Sequence, residues 1–201
     1  MRSLPASLRK KWDDFIGPEA SGVDNIMTVG CGLIGGVLAP VLVKRQRQAS
    51  SGAALVASAL AMDLWGGAWV NNTLACGRWY ERSGQTNANH YQFALLHLHP
   101  FMFAWLDRRS RRRLSWWVWA GIQYAYLLGA TVLIRRNPPI RRNGGVALTV
   151  GGILLDQILE PSKSAPWFAF IYYPKLLMGH AASSLWSDEQ LNSAHGMSEN
   201  P

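Results

Sequence analysis

"NIMTVGCGLIGGVLAPVLV", residues 25–43, contains no Asp, Glu, Lys or Arg over nineteen positions. A helix that crosses a bilayer needs about 20 mostly apolar residues. Glycines at 30, 32, 35 and 36 would let a second helix approach its backbone closely. Read as a membrane helix, this stretch decides the fold class, and comparable stretches follow it. Residues 48–77 are interrupted only by Asp63, and residues 83–106 carry no Asp, Glu, Lys or Arg at all. Residues 114–134 open with Trp116, Trp117 and Trp119, as an interfacial belt does. Residues 144–159 are short and carry Asp156; residues 164–187 carry Lys175 and His180. The expectation is an all-α, polytopic integral membrane bundle of about six spans, the fifth short or re-entrant.

Composition agrees. Charged residues make up 16% of the chain, against about 25% in soluble domains. The mean hydropathy of −0.01 averages long uncharged runs with short basic knots. Ten Trp suit a chain with two interfaces, where an indole satisfies both its ring and its N–H. A formal net charge of +8 raises nucleic acid as a partner. The basic residues, however, fall in "KRQR" (44–47), "DRRSRRR" (107–113) and "RRNPPIRR" (135–142), each between apolar runs. Loops at an anionic lipid surface explain that distribution better than a nucleic-acid face, which needs its cations gathered on one surface. The positive-inside rule is nearly balanced between the two sides and assigns no orientation. Cys31 and Cys76 both sit in apolar runs, so neither a disulfide framework nor a zinc site is signalled.

The ends carry their own patterns. Leu4, Leu8, Trp12 and Phe15/Ile16 recur at helical spacing opposite Arg9, Lys10, Lys11, Asp13 and Asp14, before "GPEASG" breaks the helix. Residues 1–20 therefore read as an amphipathic helix in the membrane surface, followed by the bundle over 21–187. No small-residue cleavage pattern follows the first apolar run, so it reads as a span and not a signal peptide. Residues 188–201 read as a polar, disordered tail.

The chemistry has to come from polar residues inside the spans. An ionisable group in the bilayer core costs at least about 2.5–3.5 kcal/mol, so by default it faces the bundle interior. Asp63, Gly67, Val70 and Asn71 lie along one helix face. Asn71-Asn72-Thr73 also matches a glycosylation sequon, which inside a span is a coincidence of composition. "HYQFALLHLHPFMFAW" (90–105) holds three of the chain's five histidines. His97 and His99, two apart, point about 200° apart on a regular helix and cannot share one metal ion there. Pro100 withholds a donor from the carbonyl of Leu96 and bends the backbone beside them. Thr149, Gly152, Asp156 and Glu160 form a polar stripe on the fifth segment, with Glu160 at the interface.

Together these residues suggest one wet or ligand-filled cavity. Asp63, His97, His99 and Asp156 are the candidate acid/base groups, and Asn71, Trp65, His90, Tyr124, Lys175 and His180 the candidate binding residues. Lys175 either snorkels to the surface or pairs with Asp63 or Asp156. No cofactor or metal is implied: tight histidine clusters are missing, and haem would need a matching histidine for which His180 is the one offer. No nucleotide loop, nucleophile elbow or internal repeat is visible. The leading expectation is a membrane enzyme that moves protons on a lipophilic small molecule, by isomerisation, cyclisation or hydration of an isoprenoid- or sterol-like substrate. The rival readings are a small proton- or cation-coupled carrier or channel, and a non-catalytic scaffold whose polar groups lock helices together. Membrane lipids are the expected surroundings, and no nucleic acid is expected.

Overall fold

A computed structural model describes residues 5–44, 50–110 and 113–193. Among them there is no strand. The helices are α1 (Ala6–Ile16), α2 (Gly22–Lys44), α3 (Ser51–Val70), α4 (Leu74–Glu81), α5 (Asn87–Leu96), α6 (His99–Asp107), α7 (Trp116–Arg136), α8 (Arg141–Ile158), α9 (Phe168–Tyr173) and α10 (Asp188–Asn192). A 3₁₀ turn, Pro138–Ile140, leads into α8, and α9 runs on into a π-helical segment, Pro174–Ala181.

Three of these helices are long and apolar enough to cross a membrane: α2, α3 and α7, with mean hydropathies of 2.2, 1.4 and 1.4. The first two form an antiparallel hairpin with almost no room between the backbones. A Cβ on Gly66 would lie 3.0 Å from the carbonyl oxygen of Thr28, and one on Gly32 3.2 Å from that of Met62. Further along, Ser58 donates from Oγ to the Gly36 carbonyl at 2.6 Å. Thr28, Gly32 and Gly36 thus make one small-residue stripe at four-residue spacing, the device that brings helices together where water supplies no driving force. The opposite face of α2 stays apolar and bare: Ile26 is 72% exposed and Val37 68%. A face of that kind needs an apolar medium or a partner to cover it.

The centre of the molecule lies elsewhere, around α7, α9 and the π-helical segment. Trp119, Phe168, Tyr172, Tyr173 and Phe103 are all fully buried there. Gly152 of α8 admits Tyr173, whose ring would come within 2.7 Å of a Cβ at that position.

The expected boundaries change in four places. The second apolar run does not continue to residue 77. Helix α3 stops at Val70, and Thr73 caps a separate α4 by accepting from Cys76 N. The third run is two short helices, α5 and α6, parted at His97–Leu98. The fifth, α8, is a regular helix of 18 residues whose buried line is Gly145, Thr149, Gly152 and Asp156. The sixth is the α9–π unit, where Pro174 denies the usual helical donor.

Both ends also make contacts that the sequence did not announce. Helix α1 forms, but its Ile16, Phe15 and Trp12 pack with Val70, Cys76 and Tyr80 of this same chain. The Trp12 indole donates to Asn25 at 2.8 Å. Leu4 lies outside the described residues. Residues 188–192 are helical, with a capping box between Ser187 and Gln190 and with Leu191 buried, so the polar tail begins as structure. Residues 194–201, read from sequence as disordered, lie outside the described residues.

Candidate functional site

Asp63 sits in α3 about 10 Å from the helix end at Val70, at 1.5 Å per residue. Its Oδ2 is 2.6 Å from Lys175 Nζ and 3.0 Å from His99 Nε2. Three segments therefore meet at one oxygen: α3, the π-helical segment and the first residue of α6. Gly67, one turn from Asp63, makes the Lys175 approach feasible, since a Cβ there would lie 2.8 Å from Nζ. Asn71, the next turn along, donates to the Lys175 carbonyl at 3.3 Å, and Asn72 donates to that of Pro174 at 3.1 Å. The Lys175 side chain is 2% exposed, whereas that of Asp63 is 44% exposed. The ammonium is sunk in protein and the carboxylate stands at the protein surface.

His99 reaches this point because α5 ends three residues earlier. His97 has φ −84° and ψ 64°, the geometry of an inverse γ-turn, and Leu98 N donates to the Leu96 carbonyl at 3.0 Å across it. That bond replaces the one Pro100 cannot supply. The neighbouring carbonyls take hydroxyls from other helices: Tyr124 donates to Leu95 O at 2.7 Å and Tyr172 to His97 O at 2.9 Å. Every carbonyl freed at the break has a donor, which lets the break persist in a dry setting. Its result is that the His97 and His99 rings, splayed apart on a regular helix, stack with centroids 5.5 Å apart.

The two imidazoles differ in what they can do. His97 Nδ1 is 2.6 Å from the Phe93 carbonyl, which fixes that nitrogen as the donor. His99 faces Asp63 through Nε2, and its Nδ1 is buried with no hydrogen-bond partner among the described residues. A carboxylate on one nitrogen and an open second nitrogen is how an imidazole is oriented for proton transfer. From sequence either His97 or His99 could meet Asp63. The turn assigns that contact to His99, because His97 is committed to its own helix.

Beyond His97 a row of rings continues. Phe93 stacks on His180 at 3.6 Å, and His180 lies 4.8 Å from His90. His90 Nδ1 donates to the His180 carbonyl at 3.1 Å, and its Nε2 is 3.9 Å from Glu81 Oε1. Both ring nitrogens of His180 are buried without a partner among the described residues. His99, His97, Phe93, His180 and His90 thus follow one another from Asp63 to Glu81.

Asp156 belongs to another cluster. It accepts from the Trp119 indole at 3.1 Å and from Gln123 Nε2 at 2.6 Å, while Tyr173 donates to the Gln123 carbonyl. The expectation that Asp156 and Asp63 converge is corrected: Asp63 meets Lys175 and His99, while α8 presents Asp156 to α7. Two further candidates have structural duties: Tyr124 donates to the Leu95 carbonyl, and Asn71 donates to the Lys175 carbonyl and accepts from Cys76 Sγ at 3.7 Å. Asn71 is also buried, which removes the sequon from solvent. Trp65 packs its ring over Gly35 and edge-on to Trp167, on the α2 side of α3 and not the Asp63 side. Glu160 follows α8 in a left-handed conformation, φ 64°.

Two polar clusters escaped the sequence reading. Asp107, fully buried, accepts from Ser162 Oγ at 2.6 Å, Lys163 N at 2.9 Å, Ser164 N at 2.9 Å and Ser164 Oγ at 2.5 Å. Glu81 takes Arg135 at 2.6 Å and Arg141 at 2.8 Å, and Arg141 also pairs with Asp188 at 2.6 Å. Arg135 and Arg141 were assigned to lipid-facing loops; they turn inward because Glu81 offers a fixed counter-charge. The repeated Ser in "PSKSAP" after Glu160 was the available hint for the first cluster. Nothing local to "RRNPPIRR" pointed to Glu81.

No protein-family model, curated protein or solved structure matches this chain. The functional reading therefore rests on these residues alone.

Proposed function

We propose that the chain is a multi-pass integral membrane enzyme that transfers protons on a lipophilic small molecule of isoprenoid or sterol type. In this reading α2, α3 and α7 span the bilayer outright. The broken α5–α6 pair, α8 and the α9–π unit complete the bundle as shorter or interrupted crossings. Interrupted helices are tolerated at membrane depth where protein or a cavity surrounds the break, and such breaks collect the functional groups.

The observation that carries the reading is the Asp63–His99 pair beside Lys175. Asp63 Oδ2 meets the Lys175 ammonium at 2.6 Å and His99 Nε2 at 3.0 Å, so it acts as an acceptor and orients His99 through Nε2. His99 Nδ1, with no other partner among the described residues, is the atom that gives or takes the substrate proton. Lys175 offsets negative charge that develops beside it. The half-exposed carboxylate at the protein surface gives a substrate dissolved in lipid a way to arrive from the side. Asp156 drops out of the catalytic set and becomes a helix-locking group.

Complementation in the native host tests this without knowledge of the substrate. His99→Gln should lose function by roughly the 10²–10⁴-fold typical of a lost general acid/base. His97→Gln should retain most of it, with both proteins found in the membrane fraction after alkaline carbonate washing. Full function in His99→Gln would end the enzymatic reading, and recovery of the wild type as a soluble species would end the membrane one.

The row of imidazoles from His99 to Glu81 favours one second reading, a proton-coupled carrier. Reconstituted vesicles with an imposed pH gradient separate the two. A carrier dissipates the gradient and loses that ability in His180→Phe, whereas the enzyme leaves the gradient intact.

A further inference from the structure

The cavity at the end of the hairpin where α2 begins and α3 stops is used by nothing above. It measures about 510 Å³, and its walls include Glu19, Asp24, Ala68, Trp69, Arg78 and Trp186. We propose that it seats the zwitterionic head of a membrane phospholipid, an ammonium joined to a phosphate, with the acyl chains lying down the exposed apolar side of α3 below Trp69. The proposal rests on the membrane reading, since this end of two spanning helices is then the level of the headgroups.

Size comes first. Ligand cavities run about 300–1,000 Å³, and a phosphoammonium head with its glycerol fits that range. Charge comes next. Asp24 and Glu19 set two carboxylates against one guanidinium at the walls, on a chain whose formal net charge is +8. A local excess of negative charge on a basic protein selects for a cation and against an anionic head. Arg78 is held in place by Glu19 at 2.9 Å, the Gln190 carbonyl at 2.9 Å and Ser193 at 2.6 Å. It is the one cation among the residues lining the cavity, and so the natural seat for the phosphate.

The ammonium has an aromatic seat as well. Trp69 is 36% exposed, and the Trp186 ring is fixed by donation from its indole to Asn72 O at 3.0 Å. Indole faces beside carboxylates recognise alkylated ammonium groups by combining cation–π attraction with charge. From Trp69, which lines the cavity, Met62 and Leu55 follow at seven-residue spacing down α3, 45% and 72% exposed, and continue the polar seat into an apolar track. A free phosphoammonium compound would gain nothing from that track, so a lipid is the occupant the surface fits.

The test is native mass spectrometry of the full chain released from detergent. It is titrated with phosphatidylethanolamine, phosphatidylcholine or phosphatidylglycerol of matched acyl chains, and separately with phosphocholine. One zwitterionic lipid should be retained per chain about tenfold more tightly than phosphatidylglycerol. Phosphocholine alone should not be retained. Asp24→Asn with Glu19→Gln should erase the preference, and Ala68→Phe, which fills the cavity without touching a charge, should reduce retention of the zwitterionic lipids. Equal retention of phosphatidylglycerol, or a preference unchanged in both variants, overturns the proposal while leaving a detergent-requiring membrane protein intact. Capture of phosphocholine as tightly as the lipid replaces a lipid seat with a soluble-ligand site. A chain that stays folded without detergent removes the membrane reading itself.

Discussion

Replacing Asp63 by Asn and replacing Lys175 by Met break the same ion pair, yet the structure predicts unequal costs. Lys175 is sunk in protein with 2% of its side chain exposed, while the Asp63 side chain is 44% exposed and keeps its contact to His99 at 3.0 Å. Asp63→Asn therefore strands an ammonium without a counter-charge, leaving it a neutral amide oxygen and the residue-63 backbone carbonyl at 3.4 Å as acceptors. Removing one partner of a buried pair costs about 3–5 kcal/mol, and the surviving carbonyl bond puts this case near 3. Lys175→Met leaves a carboxylate that can relax at the protein surface, and should cost about 1 kcal/mol or less. In a domain of this size each kcal/mol moves Tm by roughly 2–4 °C, so Asp63→Asn should fall by about 6–12 °C and Lys175→Met by a few degrees at most. The double variant should recover most of the loss. Thermal unfolding in detergent, read by a thiol-reactive fluorophore on a Cys31→Ser background, reports on Cys76, which is buried at 1% exposure. Equal costs for the two single variants, or no recovery in the double, would refute the description of the ammonium as the buried member.

Two further perturbations probe the frame around the site. Gly66→Leu puts a side chain where even a Cβ would stand 3.0 Å from the Thr28 carbonyl, so the hairpin must part; overpacking of this kind costs about 1–3 kcal/mol, visible as a lower Tm and as easier cross-linking of α2 to lipid. Asp107→Ala leaves two backbone N–H groups and two hydroxyls without their acceptor, and at about 1.5–3 kcal/mol for a single bond to a charged group the protein should be among the least stable variants, measured as yield of folded chain from the membrane.

The close contact made by α2 was legible because its determinants are local. Glycines at four-residue spacing in an uncharged run specify a close helix contact wherever the partner comes from, and α3 supplied Gly66 and Ser58 to meet them. The break at His97 was half legible. Pro100 announces a bend, but the bend becomes an ordered turn only through the Tyr124 and Tyr172 hydroxyls, which arrive from α7 and α9. Helical periodicity also fixed the face on which Asp156 lies without saying which helix that face meets. It therefore joined Asp63 in the sequence reading and Trp119 with Gln123 in the folded chain. Arg135 and Arg141 failed for the same reason, since a basic knot looks identical whether its counter-charge is lipid phosphate or Glu81.

Deuterium uptake by lipid carbon tests the central claim most directly. The purified protein is incubated in D₂O buffer with the apolar lipid extract of its native membrane, and the lipids are then weighed by mass spectrometry. An isomerase, cyclase or hydratase that delivers its proton from His99, and regains it from D₂O between turnovers, must place a deuteron on a carbon of its substrate. One lipid class should gain about one carbon-bound deuteron per turnover, a hydratase product gaining the elements of water besides, with His97→Gln close to wild type and His99→Gln silent. Uptake that is equally fast in His99→Gln, or no uptake by any lipid with the wild-type protein, would contradict the account.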